Sequence, residues 1–325
     1  MIDDLGSHSR ASGLTLTYPG QGDGAPPEVL ARIEFGDTHV QSDDPGCLRV
    51  GLRPLQPESG SEVWRVDAIR ERGWCGDIGF VISPEVMFAH ALVAETDPDA
   101  LADTSQTLYI RLLDLFARHG YRHPIRIWNL IQSIHGDCAG LERYRAFSLG
   151  RASAFAAAGF AESDIPAASA VGSAAPGLLV YALAARHPGV GVENPRQIPA
   201  YRYPTCYGPR PPQFARATRA ASLAGRPLFL SGTASIQGHA SLHAGDIDQQ
   251  LAETIRNLES LLLAAGEAPG RRPGWLRVYL RDPADRHRVD PVLRAWAGHG
   301  TALLYLRADI CRRELDIEIE GLFLP

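Results

Sequence analysis

A pattern that occurs twice constrains the fold of this 325-residue chain more than any other feature. In each copy an amphipathic helix ends at a glycine, and a short loop leads into a strand that carries aromatic residues and arginine. The first copy reads SQTLYIRLLDLFARHG and HPIRIWNLI within residues 105–131, and the second reads DQQLAETIRNLESLLLAAG and GWLRVYLRD within residues 248–282. A repeat of this kind indicates two structural units with the same architecture.

The repeated helices are predicted over Thr104–His119 and Ile247–Ala265. Each carries a stripe of apolar residues at the spacing that a helix needs to pack one face on a core. The stripes are Leu108, Leu112, Leu115 and Phe116, then Leu251, Ile255, Leu258 and Leu262. Strands are predicted at Gly79–Ile82, Val86–Ala91, Ile125–Ile131, Pro227–Ser231 and Trp275–Leu280, and a further helix at Arg151–Gly159. This order predicts α+β units in which helices cover one face of a sheet.

The closing segment Arg307–Pro325 alternates apolar and acidic residues with a period of two, which predicts a strand. Asp316, Glu318 and Glu320 share one face of that strand, opposite the isoleucines. Two interpretations stay open at this point. The acidic face is either a solvated sheet edge that discourages aggregation, or a rigid support that positions one catalytic acid.

Composition limits the classes of ligand. The formal net charge of −5 and the isoelectric point near 6.1 argue against nucleic acid or an anionic membrane surface as the main partner. All 32 basic residues are arginine, so a Schiff-base lysine and a lysine-containing phosphate loop are excluded. No apolar run reaches the length of a membrane span and the N-terminus lacks a signal-peptide core, which predicts a cytoplasmic protein.

The cysteines and histidines do not predict a metal site. The five cysteines are scattered, and no pair has CxxC spacing. His239 and His243 lie four residues apart, but Gly238 and Gly245 beside them indicate a loop rather than a helix face. We therefore expect chemistry that uses neither a metal nor a cofactor.

The segment 212–325 resembles the YjgF/Rid family. The resemblance rests on Phe214–Ala220, Leu228–Ile236, the helix segment 245–266, LRVYLRD (276–282) and the closing DIEIEGL (316–322). Members of that family are small α+β domains with a curved sheet, helices on one face and ligand sites at subunit edges. In this resemblance Glu318 matches the acid of the closing strand, and Arg307 matches an arginine-bearing turn before it.

Together with the repeat, this resemblance implies two Rid-like domains in tandem, built on curved mixed sheets with helices packed on one face. The first domain is predicted over residues 1–165, in a degenerate form whose first twelve residues are mobile. The second domain is predicted over residues 166–325 and carries the closing strand.

Four motifs together resemble the chorismatases, from about residue 60 to the end of the chain. They are GLERYRAFSLGRA (140–152), NPRQIPAYRYPTCYGPRPPQFARAT (194–218), PLFLSGTASIQGH (227–239) and DICRRELDIEIEGL (309–322). Chorismatases hydrolyse or rearrange chorismate, a dianion with a ring carboxylate and an enolpyruvyl ether carboxylate, and they release pyruvate.

A site for this dianion needs arginine anchors, hydroxyl donors and one acid. Taken alone, tyrosines and arginines interleaved with prolines more often form a rigid surface loop. The resemblance implies that the substrate-binding residues are Tyr144, Arg145, Arg151, Tyr201, Arg202, Tyr203, Tyr207, Arg210, Gly232 and Arg307.

The resemblance also implies that Glu318 donates a proton to the methylene carbon of the enolpyruvyl group, which requires a raised pKa. Glu320 faces the same way and is the second candidate for the acid. Cys311 stands where hydroxybenzoate-forming subtypes of the family carry a cysteine, and Gly232 leaves room for the substrate ring to shift. The predicted products are 3-hydroxybenzoate and pyruvate, with 4-hydroxybenzoate as a further product.

Three other functions stay open. They are a chorismate hydrolase that forms the dihydrodiol and pyruvate, a Rid-type imine deaminase that grips a carboxylate with Arg307, and a non-enzymatic metabolite-binding protein. Single-copy Rid proteins are typically trimers with sites at the subunit interfaces. A chain with two fused copies is compatible with either a monomer or a Rid-like trimer.

Overall fold

The computed structural model describes residues 14–17, 27–55 and 61–323, and the predicted mobile start lies outside them. The helices in this part of the chain are α1 (Leu101–Arg118), α2 (Arg143–Ala157), α3 (Ile247–Ala264) and α4 (Arg286–Ala297). The strands are β1 (Thr15–Thr17), β2 (Glu28–Phe35), β3 (Val40–Gln41), β4 (Cys47–Val50), β5 (Ser61–Val66), β6 (Glu71–Cys75), β7 (Ile78–Ile82), β8 (Val86–Val93), β9 (His123–Gln132), β10 (Asp137–Cys138), β11 (Leu141–Glu142), β12 (Ala167–Ser173), β13 (Leu178–Ala185), β14 (Val190–Val192), β15 (Ala217–Arg219), β16 (Leu228–Thr233), β17 (Ile236–Gln237), β18 (Ala240–Ser241), β19 (Trp275–Leu280), β20 (Ala302–Arg307) and β21 (Ile317–Phe323).

The first six-stranded sheet has the strand order β12-β9-β13-β8-β7-β6. Strands β12 and β9 run parallel, whereas the other neighbours run antiparallel. Helices α1 and α2 cover one face of this sheet, and the predicted apolar stripe of α1 is buried there. Soon after α1 ends, Gly120 adopts a φ of +81°, a conformation that favours glycine.

The second six-stranded sheet has the order β14-β15-β16-β21-β19-β20 and is also mixed, because β19 and β20 run parallel. Helices α3 and α4 cover one of its faces. Asp246 caps α3 by accepting the backbone N–H of Gln249. The sequence did not predict α4, which buries Val289, Leu293 and Ala297. These two units confirm the predicted tandem α+β fold with mixed sheets and helices on one face.

Strands β1 to β5 form a separate sheet with the order β1-β5-β2-β4-β3, which precedes the first repeated unit. Strands β12 and β13 follow the predicted domain boundary at residue 165, yet they pair with β9 and β8 in the first six-stranded sheet. We therefore propose a boundary between Ala185 and Val190, because strand pairing holds the preceding residues in the first sheet.

The helix-free faces of both six-stranded sheets and one face of the five-stranded sheet enclose a shared core. Trp64 of β5 meets Trp128 of β9 edge to face, with ring centroids 6.0 Å apart. The same indole stacks on Phe229 of β16 at 6.2 Å. Because aromatic side chains from all three sheets pack together, burial of this core holds the five-stranded sheet on both repeated units.

The closing strand β21 lies in the middle of its sheet, between β16 and β19. Every residue from Ile317 to Phe323 is buried, so the interpretation of this strand as a solvated edge is wrong. Ile317 and Ile319 contribute to the core beneath α3 and α4, while Glu318 and Glu320 face the opposite side. Asp316 lies outside the strand, with an oxygen 3.5 Å from Arg281 Nε.

In the part of the chain that the structure describes, no helix has both the length and the apolar character of a membrane span. The same residues contain no group of three histidine, cysteine or acidic side chains that could hold a metal ion. Nδ1 of His239 lies 3.1 Å from the hydroxyl of Tyr207, and His243 has a φ of +61° in a loop, as the neighbouring glycines predicted.

Candidate active site

A cavity lies at the seam between the two repeated units. Its walls come from α2 and β12 of the first unit, from β16 and β21 of the second unit, and from the loops at 203–216 and 311–314. Eight of the predicted site residues line it, namely Tyr144, Arg145, Arg151, Tyr203, Tyr207, Gly232, Cys311 and Glu318. The fold thus brings together residues from all four motifs that carried the chorismatase resemblance.

The carboxyl group of Glu318 projects from β21 into this cavity and is 4% exposed. A Cβ atom on Gly232 would lie 1.9 Å from Glu318 Oε1, so the carboxyl group packs directly on the glycine backbone. Burial, reinforced by the negative charge of Glu320, raises the pKa of Glu318 to about 8, although Arg126 and Arg216 oppose the shift. At neutral pH the group is therefore a carboxylic acid that is able to donate a proton.

Glu320 faces the same side of β21 but has the opposite electrostatic environment. Its oxygens contact Arg126 Nη2 at 2.6 Å and Arg277 Nη1 at 2.9 Å, and accept a hydrogen bond from Trp128 Nε1 at 2.7 Å. The hydroxyl of Ser169 donates to it as well. Burial acts to raise the pKa of Glu320, but the two arginines and these donors outweigh it and lower the pKa. Glu320 is thus an ionised structural group, which removes it as second candidate for the acid.

The ion pairs around Glu320 extend into the five-stranded sheet. Glu62 of β5 accepts two hydrogen bonds from Arg277, at 3.1 Å from Nε and 2.6 Å from Nη2. Glu62, Arg277, Glu320 and Arg126 are all buried, and their formal charges cancel. This cluster, which we call the buried ion network, joins all three sheets behind the cavity.

The thiol of Cys311 and the phenol of Tyr144 both face the cavity beside Glu318. Burial and the nearby carboxyl of Glu318 raise the pKa of Cys311 to about 12. Burial raises the pKa of Tyr144 far above its usual range as well. Both groups are therefore neutral at physiological pH, and Cys311 is a cavity wall rather than a thiolate nucleophile.

Two of the arginines that line the cavity are buried and have unpaired N–H groups. Arg151 is 1% exposed, and within the described residues its Nε and Nη2 atoms have no hydrogen-bond acceptor. Arg216 is 3% exposed; its Nη2 donates to Tyr203 at 2.7 Å and to the Ile198 carbonyl at 2.9 Å, while its Nε has no acceptor among the described residues. Because unpaired buried N–H groups are unfavourable, this arrangement favours an anionic ligand.

Arg312 fastens one wall of the cavity. Its guanidinium lies 4.1 Å from the ring centroid of Tyr207 and 5.4 Å from that of Tyr203. It also donates to the His239 carbonyl at 2.8 Å and to Ser241 Oγ at 3.0 Å. These contacts hold the two tyrosines in place, so the proline-rich segment that precedes β15 is a structured wall.

The other four predicted substrate-binding residues, Tyr201, Arg202, Arg210 and Arg307, do not line the cavity. Arg202 is exposed and pairs with Glu162 at 2.5 Å, and Tyr201 lies beside Glu193. Arg210 is exposed as well. Tyr201, Arg202 and Arg210 were predicted because they lie in the motif at 194–218, but Arg202 and Arg210 are exposed and Tyr201 is half-buried against Glu193. We correct the prediction for these three residues.

Arg307 lies away from the cavity because of the order of the strands in the second six-stranded sheet. It ends β20, and β19 lies between β20 and the strand that carries Glu318. Its guanidinium is 3.5 Å from Asp309. The prediction that Arg307 grips substrate is therefore corrected, and the arginines whose charge reaches Glu318 are Arg126 and Arg216.

Sequence reasoning missed Arg216, Ser169 and Arg312 as parts of the site. Arg216 and Arg312 lie inside the quoted motifs, but nothing in their spacing distinguishes them from arginines that point outward. Ser169 lies in a run of small residues, AASAVGS, where no local pattern indicates a polar role. The roles of all three residues depend on contacts between segments that are distant in the sequence, and the sequence alone does not show which segments meet.

Comparison with known proteins places the chain in a family. A family model described as chorismatase FkbO/Hyg5-like, N-terminal, matches residues 62–184, and so ends with the first six-stranded sheet. A 3-hydroxybenzoate synthase of Streptomyces hygroscopicus is 38% identical over 85% of this chain and 85% of its own length. A chorismatase of the same organism is 34% identical over 90% of this chain and 89% of its own length.

A solved structure agrees with these sequence matches. The crystal structure of a chorismatase matches with a TM-score of 0.84 and 32% sequence identity, covering 95% of this chain and 97% of the other. Because the sequence and structural matches span nearly the whole chain, including both repeated units and the cavity between them, this protein belongs to the chorismatase family.

Proposed function

We propose that this protein converts chorismate to 3-hydroxybenzoate and pyruvate, with Glu318 as the proton donor. The observation that carries the proposal is the position of Glu318, whose neutral carboxylic acid shares one cavity with two buried arginines that have unpaired N–H groups. An acid that stays protonated beside cationic groups fits a dianionic substrate that must be protonated on carbon.

The arginines account for binding. Arg151 and Arg216 approach the cavity from different units, and each has N–H groups that a substrate carboxylate would satisfy. Two separated anchors suit a substrate with carboxylates on its ring and on its enolpyruvyl arm. Arg145 lines the same cavity and adds a further positive charge.

The acid accounts for the chemical step. Transfer of the Glu318 proton to the enolpyruvyl methylene carbon turns the methylene into a methyl group and leaves an oxocarbenium centre at the ether carbon. The ring hydroxyl then bonds to the neighbouring ring carbon, the bond between that carbon and the ether oxygen breaks, and the ether oxygen becomes the keto group of pyruvate. The resulting ring epoxide opens and loses a ring proton to give a hydroxybenzoate. No water is consumed, because the atoms of chorismic acid divide completely between hydroxybenzoic acid and pyruvic acid. Attack by water instead gives the dihydrodiol and pyruvate, so pyruvate is released in both cases.

The cavity wall favours attack by the ring hydroxyl. Cys311 contributes a neutral thiol, and Ala168, Ala170, Ala234 and Ile236 contribute apolar side chains to the cavity. Apolar walls disfavour an ordered water molecule beside the oxocarbenium centre, since such a water needs polar partners. This arrangement supports 3-hydroxybenzoate as the main product, with 4-hydroxybenzoate as a further product.

The alternatives have less support. The imine-deaminase hypothesis relied on Arg307, which lies outside the cavity. A pure binding role leaves the raised pKa of Glu318 without a purpose, because a neutral acid adds little affinity for a dianion.

The test is to incubate purified protein with chorismate, follow pyruvate by a coupled assay, and separate the products by chromatography against authentic hydroxybenzoates and the dihydrodiol. Ammonia release from an imine, or no turnover of chorismate, contradicts the proposal.

The pH dependence of turnover tests the state of the acid. We expect kcat/KM to fall as the pH rises through about 8, since only protonated Glu318 can donate. Initial rates of pyruvate release between about pH 6 and pH 9.5 provide the measurement. A decline that is already complete near pH 5, where an ordinary glutamate ionises, would contradict the assignment.

Replacement of Cys311 tests the control of the product. Cys311→Ala is expected to change the ratio of hydroxybenzoate to dihydrodiol by about tenfold, equivalent to about 1.4 kcal/mol between two transition states. Total chorismate consumption should change less than this ratio, because the proton donor is intact. Cys138→Ala, which removes a buried thiol outside the cavity, is the control and should leave the ratio unchanged. An unchanged ratio in Cys311→Ala would contradict the proposal that Cys311 directs the reaction toward hydroxybenzoate.

We further propose that one chain suffices for activity, because both repeated units of one chain contribute walls to the cavity. Activity that stays constant per chain on dilution, with light scattering to give the mass, supports a functional monomer. Activity that is lost when a trimer dissociates supports the Rid-like assembly. The cytoplasmic location remains a prediction.

A further inference from the structure

Ser169 joins the buried ion network to the wall of the cavity. It lies on β12, the edge strand of the first sheet that faces the second unit, and is 4% exposed. Its side chain bridges the seam, contacting Arg126 within its own unit and both Glu320 and Gly232 of the other.

The hydroxyl of Ser169 has no remaining hydrogen-bonding capacity for substrate. It donates to Glu320 Oε2, and it accepts from Arg126 Nη2 at 2.7 Å and from the backbone N–H of Gly232 at 2.9 Å. A hydroxyl has one donor and two acceptor sites, so all three are occupied. Ser169 is therefore a positioning residue, although it borders the cavity.

The backbone of Gly232 is available to Ser169 because the sheet is irregular there. The register between β16 and β21 shifts between Leu230 and Thr233, and the N–H of Gly232 points to Ser169 Oγ instead of the strand partner. Gly232 is also the residue on which the Glu318 carboxyl packs. A backbone donor thus lies next to the acid but is bonded elsewhere.

We propose that Ser169 keeps Glu318 in its proton-donating form by binding the N–H of Gly232, which otherwise would turn to the carboxylate of Glu318. The proposal rests on the proposed role of Glu318 and adds to it the residue that preserves the acid. Its physical basis is that a backbone N–H donated to a carboxylate stabilises the charged form. An acid catalyst on this strand needs that donor to be occupied.

We expect the other charged and titratable groups near Glu318 to keep their places when the hydroxyl of Ser169 is removed. Glu320 retains Arg126, Arg277 and Trp128 as partners, so its negative charge persists. Among the described residues, four groups face Glu318 from other elements: Arg126 on β9, Tyr144 on α2, Arg216 before β15, and Cys311 before β21. The neighbouring strand β19 carries two further titratable groups, Arg277 and Tyr279. Only Arg126 among them bonds to Ser169, and it keeps its ion pair with Glu320.

The test is the pH dependence of kcat/KM in Ser169→Ala. We expect the fall at high pH to move down by about one pH unit, with the rate largely recovered near pH 6 and KM little changed. Ser169→Thr keeps the hydroxyl and should keep the wild-type profile. Ser231→Ala is the matched control, because Ser231 is buried on β16, does not line the cavity, and bonds to the backbone of Ala168 and Ala215 instead of Gly232.

An infrared titration separates failure of this inference from failure of the proposed function. The band of the protonated Glu318 carboxyl, assigned by its loss in Glu318→Gln, should disappear at lower pH in Ser169→Ala than in the wild type, whether or not chorismate is turned over. If Ser169→Ala does not fold, Ser169→Cys, whose sulfur is a weak acceptor, should show the same shift. An unshifted titration in the folded variant, or an equal shift in Ser231→Ala, overturns the role of Ser169.

Discussion

Replacement of Glu318 by glutamine is expected to lower chorismate turnover by about 10³-fold or more, within the range for loss of a general acid. Glutamine has the same shape as the protonated acid and packs equally well on Gly232, but it has no proton to transfer to carbon. Binding should persist, because the arginines and tyrosines of the cavity are unchanged. The measurements are kcat from pyruvate release and affinity from calorimetric titration with chorismate.

Glu314→Gln is the matched control for this variant. Glu314 also lines the cavity, but it accepts a hydrogen bond from Ser241 at 2.7 Å, and its pKa is lowered. An ionised carboxylate at this position has no proton to give, so turnover should change by less than about tenfold. If Glu318→Gln keeps its activity while Glu314→Gln loses it, the assignment of the acid is wrong.

Replacement of Glu320 by glutamine is expected to destabilise the fold by about 3–5 kcal/mol, the usual penalty for removing one partner of a buried ion pair. Glu320 is completely buried and compensates both Arg126 and Arg277. The variant leaves two buried guanidinium groups with Glu62 as the remaining carboxylate in the network. Urea unfolding at neutral pH gives the change in free energy directly, with the midpoint of thermal unfolding as a second readout.

Glu318→Gln is the comparison on the same strand, and its effect on stability should have the opposite sign. The pKa of Glu318 is raised in the folded protein, so the folded state loses stability as the pH rises from about 4.3, the unfolded value, to about 8. Glu318→Gln should therefore have a larger free energy of unfolding than the wild type at pH 8, and the difference between the two proteins should be smaller at pH 5. If Glu320→Gln unfolds like the wild type and only loses turnover, Glu320 returns as a candidate for the acid.

The sequence predicted those elements whose pattern is local. The helices at Leu101–Arg118 and Ile247–Ala264 and the strand Trp275–Leu280 follow from apolar spacing and terminal glycines. The closing strand was predicted for the same reason. The tandem arrangement followed from the repeat of these local patterns, and the family resemblance agreed with it.

The sequence could not predict what depends on distant pairing. Alternating apolar and acidic residues normally indicate a strand with one solvent-exposed face. The acidic face of β21 is buried instead, because Arg126 and Arg277 from other strands form ion pairs with Glu320. The partners of Glu320 lie up to 194 positions away along the chain. The same reason hid Ser169 and Arg216, whose roles exist only when the two units meet.

The boundary that we propose between Ala185 and Val190 differs from the one predicted at residue 165 for a related reason. The small residues of β12 carry no amphipathic pattern, because both faces of this strand are covered. Nothing in that segment therefore indicates to which sheet it belongs. In the five-stranded sheet the run Val29–Phe35 was recognisable as a strand and corresponds to β2, but the pairing of the sheet was not predicted.

The shared core has three sides that differ in sequence, and this difference has a consequence for how the protein could evolve. In a ring of identical subunits, symmetry copies any substitution into every seam. In this chain, Ser169 and Glu318 can change at one seam while Glu62 and Trp64 stay fixed at another. In a single chain of this kind, substitutions that favour chemistry and lower stability can be confined to one seam. The other sides of the core keep the residues that stabilise the fold.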